Sequence, residues 1–196
     1  MEEKWNTGES LRRAEFIASF IDSKGKLLDI GGYKGEVKRF LPRSIEYHII
    51  DLYKNRFKNS KQFDLNKKYL PYPDDSFDYI ICAGTLEHCL YPREILKEIH
   101  RIMKPKAIAI ISIPNDEAIP IRIIRAIQKQ APIDIQHFSH HWFFSLETAR
   151  EFLEKHFNII EENGYMGLVM NSFIPFSLLK IIPSLIPEMF FKVIKK

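Results

Sequence analysis

Along this chain the spacing of hydrophobic and polar positions changes period several times, and each change marks an element. Leu11, Ala14, Ile17, Ala18 and Ile21 recur at helical spacing behind a Ser10 cap, and the run stops at Asp22-Ser23-Lys24-Gly25, which predicts a helix and then a turn. Lys26 to Ile30 is a short apolar run that flows into Gly31-Gly32-Tyr33-Lys34-Gly35. Glu36 to Leu41 follows as a predicted helix ended by Pro42, so the stretch reads strand, glycine turn, helix. Ile45 to Leu52 predicts a second strand with Asp51 near its end. Phe77 to Cys82 predicts a third, introduced by the turn-forming Pro73-Asp74-Asp75-Ser76.

Ile95, Leu96, Ile99 and Ile102 share one face of a helix running from Pro92 to Met103, where Pro92 suits the first turn and Pro105 must lie beyond the end. Ala107 to Ile113 is almost wholly apolar, the pattern of a strand covered on both faces of a parallel sheet. Ile119, Ile123, Ile124 and Ile127 predict another helix, interrupted by Pro132. Ser145 caps a helix carrying Leu146, Ala149, Phe152 and Leu153, which leads to a strand around Asn158 to Glu162. Strands alternating with helices predict an α/β fold built on a doubly wound sheet.

The tail from Leu168 to Ile194 is apolar enough that a membrane-spanning helix must be weighed. Pro175, Pro183 and Pro187 would break it, and Lys180, Glu188 and Lys192 interrupt the run, so no spanning segment is expected. A helical insert over about 171–186 followed by a final strand, Met189 to Ile194, fits better. The same stretch can pack on the sheet, wall an apolar acceptor pocket, touch a membrane surface peripherally or form a homodimer interface.

A length of 196 residues suits one domain that buries its own core. Hydrophobic residues at 45% and charged residues at 28% are ordinary globular values, so neither a disordered chain nor a membrane bundle is the default reading. Cys82 and Cys89 are too few and too close for a disulfide framework, and no signal peptide is visible, so a cytoplasmic location is expected. The net charge of +4 is spread along the chain without a basic block, which leaves no strong nucleic-acid signal.

A glycine turn between strand and helix lets backbone approach a ligand and points a helix N-terminus at it. By itself it fits a nicotinamide site, a nucleotide site or a plain tight turn. Asp29 changes the balance, because a carboxylate at the end of the first strand would repel an anionic pyrophosphate, whereas it suits a ligand carrying a cationic ammonium and sulfonium. Asp51, at the end of the second strand, can accept hydrogen bonds from both ribose hydroxyls of a nucleoside. The alternative for both acids is a solvated strand end.

Several motifs in order resemble the class I methyltransferases, specifically the small-molecule type 11 family. Leu27-Leu28-Asp29-Ile30-Gly31-Gly32-Tyr33-Lys34-Gly35 is similar to the family's first motif, Ile49-Ile50-Asp51-Leu52 to its ribose-binding strand end, and Phe63-Asp64-Leu65 to its adenine-binding loop. Pro73-Asp74-Asp75-Ser76-Phe77-Asp78-Tyr79-Ile80-Ile81-Cys82 with Leu86-Glu87-His88 resembles the fourth strand and its exit. Leu96-Lys97-Glu98-Ile99-His100-Arg101-Ile102-Met103-Lys104-Pro105 resembles the helix and turn before strand five. The resemblance runs from about Lys26 to Phe157.

It implies a Rossmann-like, doubly wound, mostly parallel seven-stranded sheet with an antiparallel last strand and helices on both faces. It divides one domain, 1–196, into an N-terminal helix (1–25), a cofactor-binding core (26–115) and a substrate-side half (116–196). The implied cofactor is S-adenosyl-L-methionine, held by Asp29, Gly31, Gly32, Gly35, Asp51, Leu52, Asp64, Leu65, Ala83 and Gly84. Two positions depart from the family pattern: Tyr33 stands where the first motif usually has glycine, and Lys106 where glycine usually follows Lys-Pro.

Methyl transfer from a sulfonium is an in-line displacement that needs positioning more than side-chain chemistry, with a base near neutral pKa helping a protic acceptor. His88 is one candidate for that base, the alternative being a hydrogen bond that orders its loop. His137, in the cluster with His140, His141, Trp142, Phe143 and Phe144, is the other, in a lid over the acceptor. No carboxylate or cysteine near those histidines in sequence completes a metal-ligand spacing, so no metal is expected. The expected function is therefore methylation of a small, apolar or lipid-like molecule. A non-catalytic S-adenosylmethionine-binding scaffold and, less well supported, an RNA methyltransferase are the competing readings.

Overall fold

The computed structural model describes residues 7–54, 56–67, 69–128, 140–165, 173–175 and 183–196. Helix α1 (Thr7–Ala18) leads into β1 (Gly25–Ile30), then β2 (Ile45–Asp51) and the short β3 (Ser60–Gln62). β4 (Phe77–Ala83), α2 (Pro92–Ile102), β5 (Met103–Pro114) and α3 (Ile119–Gln128) follow, and α4 (Leu146–Glu154), β6 (Phe157–Tyr165), β7 (Phe173–Pro175) and β8 (Glu188–Lys195) complete the described chain.

The strands form one sheet in the order β3-β2-β1-β4-β5-β8-β6-β7. β1 pairs parallel with β2 and β4, β2 with β3 and β4 with β5, while β8 runs antiparallel between β5 and β6. This is the doubly wound Rossmann-like arrangement with its antiparallel last strand. Residue alternation sorts the core onto the two sheet faces. Leu28, Ile30, Ile80 and Ile111 pack with Ile95, Leu96 and Ile99 of α2 and Phe152 and Leu153 of α4. Leu27, Ile49, Ile81 and Ile110 pack on the other face with Ala14, Ile17 and Ala18 of α1.

One expectation holds with an addition, and two are corrected. The expected mostly parallel seven-stranded sheet is present, and Phe173–Pro175 adds to it a three-residue antiparallel edge on Asn163–Tyr165, an eighth strand. That strand lies inside the expected helical insert, 171–186. In the rest of that span Pro183–Leu185 is a 3-10 turn, with Pro187 soon after it, and 171–172 and 176–182 lie outside the described residues. The predicted helix from Glu36 to Leu41 is only a 3-10 turn, Glu36–Arg39, in which Val37 alone is buried and which a left-handed Gly35 starts without a side-chain cap.

The tail's final portion packs into the sheet: Met189, Phe190, Phe191 and Val193 of β8 are buried. Among the described residues, no helix is long and apolar enough to cross a membrane.

Candidate active site

The C-terminal ends of β1, β2 and β4 lie side by side in parallel register, Asp29 opposite Ile49 and Ile81, and Ile30 opposite Ile50 and Cys82. Loops leaving these ends therefore surround one crevice, at the place where the chain's winding reverses across β1 and β4, the usual ligand position in such a sheet. The Gly31 N–H donates to the Ile50 carbonyl at 2.8 Å, and the Gly35 N–H closes the turn on the Gly32 carbonyl at 2.7 Å.

Two glycines in this turn are required by space. A Cβ on Gly32 would overlap the Asp29 carboxylate, and one on Gly31, whose φ is +70°, would overlap the Thr85 side chain. The glycine turn is thus folded directly over Asp29. Tyr33 adopts φ 46° and Lys106 φ 69°, so both departures from the family pattern occupy left-handed backbone, which explains why glycine is usual there.

Asp29 is 3% exposed, so it is not a solvated strand end. The Tyr47 hydroxyl donates to its Oδ2 at 2.6 Å. Burial pushes the Asp29 carboxyl up from 3.8 to about 6, the Tyr47 hydrogen bond opposes that shift, and the charge of Asp51 adds to it. Burial and the Asp29 charge together raise the Tyr47 phenol well above its ordinary value. Asp51 is also buried, and its two oxygens accept the backbone N–H groups of Tyr33 and Tyr53, each at 2.9 Å. A carboxylate so held keeps further lone pairs for a ligand.

The loop beyond β3 returns to this tip. Phe63 donates its N–H to the Asp51 carbonyl, Asp64 Oδ1 accepts from Asn66 N, and the Asn66 side chain accepts the Leu90 N–H at 2.8 Å. Asp64 and Leu65 are half-buried there, whereas Leu52 is exposed. Ala83 ends β4 and Gly84 follows it, its N–H reaching the Ser112 carbonyl.

His88 lies on the 3-10 turn Leu86–His88 that follows, its ring edge to face with His140 at 4.7 Å between centroids. His137 falls in 129–139, outside the described residues. Burial pushes the neighbouring Glu87 carboxyl up to about 8. Cys82 and Cys89 are both buried free thiols.

Sequence reasoning missed Tyr47, Thr85 and Arg13. The Arg13 guanidinium, from α1, donates to Glu188 of β8 at 2.5 Å and to Ser112 Oγ at 2.9 Å, directly beneath Gly84. In the sequence, Arg13 is one polar position of an amphipathic helix and Tyr47 one apolar position of a strand, and neither carries a local sign of its partner.

A family model described as a methyltransferase domain matches residues 4–162. The chain belongs to the methyltransferase domain family. S-adenosylmethionine is the cofactor that membership indicates. This methyltransferase domain is 28% identical over 97 residues to a demethylmenaquinone methyltransferase of Lysinibacillus sphaericus, covering 48% of this chain and 40% of the relative. It is 28% identical over 115 residues to a ubiquinone/menaquinone biosynthesis C-methyltransferase of Rickettsia akari, covering 48% of this chain and 46% of the relative. The chain therefore spans less than half the length of these curated relatives. Among solved structures, it is similar in fold to a SAM-dependent methyltransferase from Archaeoglobus fulgidus, with a TM-score of 0.69 at 19% identity over 95% of this chain and 93% of the other.

Proposed function

We propose that this methyltransferase domain transfers a methyl group from S-adenosylmethionine to a small, apolar or lipid-like acceptor, in the manner of the type 11 small-molecule enzymes. The observation that carries the reading is the pair of buried carboxylates, Asp29 and Asp51, at neighbouring strand tips around a glycine turn that admits no side chains at Gly31 and Gly32. A cationic ligand offsets the desolvation that raises the Asp29 carboxyl, and Asp51 is oriented for a ribose diol by its two backbone donors. Gly35 closes the turn, Leu52, Asp64 and Leu65 are assigned to the adenosine, and Ala83 and Gly84 to the sulfonium side.

When bound, the cofactor supplies an electrophilic methyl carbon on sulfur. The chain's own work is to hold the acceptor in line with that carbon and to exclude water. His88 is assigned to the acceptor, to take its proton or hold its oxygen, and His137 is assigned to the same side from its sequence position. The two quinone-pathway relatives support an apolar acceptor, as do Leu90, Tyr91, Ile119 and Ile123, which are exposed beyond β4 and β5. Peripheral membrane contact, a homodimer through the apolar C-terminal stretch and a cytoplasmic location belong to the same proposal.

Calorimetry with S-adenosylhomocysteine tests the reading, with saturable binding expected and at least ten-fold weaker binding by a folded Asp51→Ala chain. A folded wild-type chain that shows no binding removes it. Labelled donor incubated with demethylmenaquinone, and with fractionated cell extract, then tests turnover. Tyr33 in left-handed backbone favours one second reading, a binding scaffold that does not turn over. That reading expects cofactor binding with no label transferred to any fraction.

A further inference from the structure

Glu87 and His88 lie on the turn that leaves β4, and His140 lies far along the chain in the stretch entering α4. The backbone N–H groups of His141 and Trp142 both donate to the Glu87 carbonyl, at 2.8 and 3.3 Å, so main-chain bonds bring His140 to that turn. One ligand atom from each of Glu87, His88 and His140 lies within 4.8 Å of the other two. Glu87 is 4% exposed, and its Oε2 has no hydrogen-bond partner among the described residues. A carboxylate oxygen in that condition is costly, and a cation between it and two imidazoles removes the cost.

We propose that Glu87, His88 and His140 form a binding site for a divalent metal ion of the zinc class. Two imidazole nitrogens with one carboxylate oxygen are the donors such an ion prefers, and three protein ligands leave a fourth tetrahedral position for water or a ligand oxygen. Magnesium and calcium, which take six or more oxygens, do not suit this donor set. Bonds of about 2.0–2.1 Å place tetrahedral ligands about 3.3 Å apart, a contraction within reach of side-chain rotation. The sequence offered no carboxylate beside the histidine cluster; the fold supplies one from β4's exit. The site goes beyond the transfer reaction and forms without the cofactor. Occupied, it selects the second of the two roles assigned to His88, because a coordinated ring holds an acceptor oxygen through the metal.

Zinc chloride titrated into the chelator-treated full chain, followed by calorimetry, is expected to bind one equivalent per chain. Glu87→Gln, His88→Ala and His140→Ala should each weaken that binding at least ten-fold, while His48→Ala, at the surface pair with Glu46, leaves it unchanged. Circular dichroism melts without metal establish which variants are folded. Cobalt(II) in the wild-type chain should give the visible absorption of a tetrahedral nitrogen and oxygen site, a readout independent of any variant. Absence of stoichiometric zinc binding, absence of that absorption, or wild-type affinity in a folded His88→Ala or His140→Ala chain overturns the proposal.

Discussion

At the scale of single residues, Asp29 sets two properties in opposite directions. A carboxyl raised from 3.8 to about 6 holds its proton more tightly folded than unfolded. Its contribution to stability is therefore fully present below the unfolded value and is lost as the pH rises through about 6. Asp29→Asn should make the cofactor-free protein more stable at neutral pH by about 1–2 kcal/mol, measured by urea unfolding. On the proposed reading the same substitution should weaken S-adenosylmethionine binding, since it removes the charge assigned to the ammonium. In the wild type, affinity should fall as the pH drops below about 6, and a calorimetric series across that range would expose a flat profile if Asp29 is not a ligand.

Lys106 carries a separate residue-scale prediction. It is exposed and holds φ 69° within β5, directly after Pro105, so Lys106→Gly should stabilise the fold by about 0.5–1 kcal/mol once strain relief is set against the added freedom of the unfolded chain. An unchanged denaturation midpoint would show that this position bears no strain. Tyr33 has the same backbone, but its ring stands edge to face with Tyr53 at 6.3 Å, so the gain from glycine there is offset by a lost aromatic contact.

At the scale of elements, α2 illustrates how one helix serves both stability and the crevice. Its buried face, Ile95, Leu96, Ile99 and Ile102, packs on the sheet, and Pro92 at its first turn sets the direction of the chain leaving β4. Its Glu98 accepts the Leu70 N–H at 2.8 Å and pairs with Arg101, which tethers the loop between β3 and β4. Ile99 is fully buried, and Ile99→Ala should cost about 2–5 kcal/mol by denaturant unfolding. A cost below about 1 kcal/mol would mean that the helix does not pack as described.

The β5 strand shows why element boundaries shift. The sequence places its start at Ala107, behind Pro105, whereas the strand runs from Met103. Both observations hold, because the pairing with β4 is irregular between Phe77 and Tyr79 and becomes regular only from Ile108. Pro105 and the left-handed Lys106 interrupt the ladder without ending it.

At the scale of the whole molecule, the crevice is assembled from loops belonging to four strands, while α1 is stapled beneath it through Arg13, Ser112 and Glu188. A ligand that touches several of these segments stabilises the entire fold. S-adenosylhomocysteine at a hundred times its Kd should add about 2.7 kcal/mol, raising Tm by about 5–10 °C in a chain of this size. No shift at saturating ligand would contradict a crevice shared by these loops.

The three-residue strands Ser60–Gln62 and Phe173–Pro175 were not determined by the sequence alone, whereas the order of the four α-helices and of the other six described strands, the faces they bury, the glycine turn and the acids at its base were. Each leaves a local trace: a period of two or of 3.6, a proline or glycine stop, a carboxylate at a strand tip. The expected helix at Glu36 failed because a single buried Val37 between Gly35 and Pro42 cannot support more than one turn. Tertiary structure alone decided which distant side chains meet: Tyr47 with Asp29, Arg13 with Glu188, and Glu87 with His140. Those pairs depend on strand register and on main-chain bonds between segments far apart in the chain, so neither partner's neighbours in sequence carry a sign of the other.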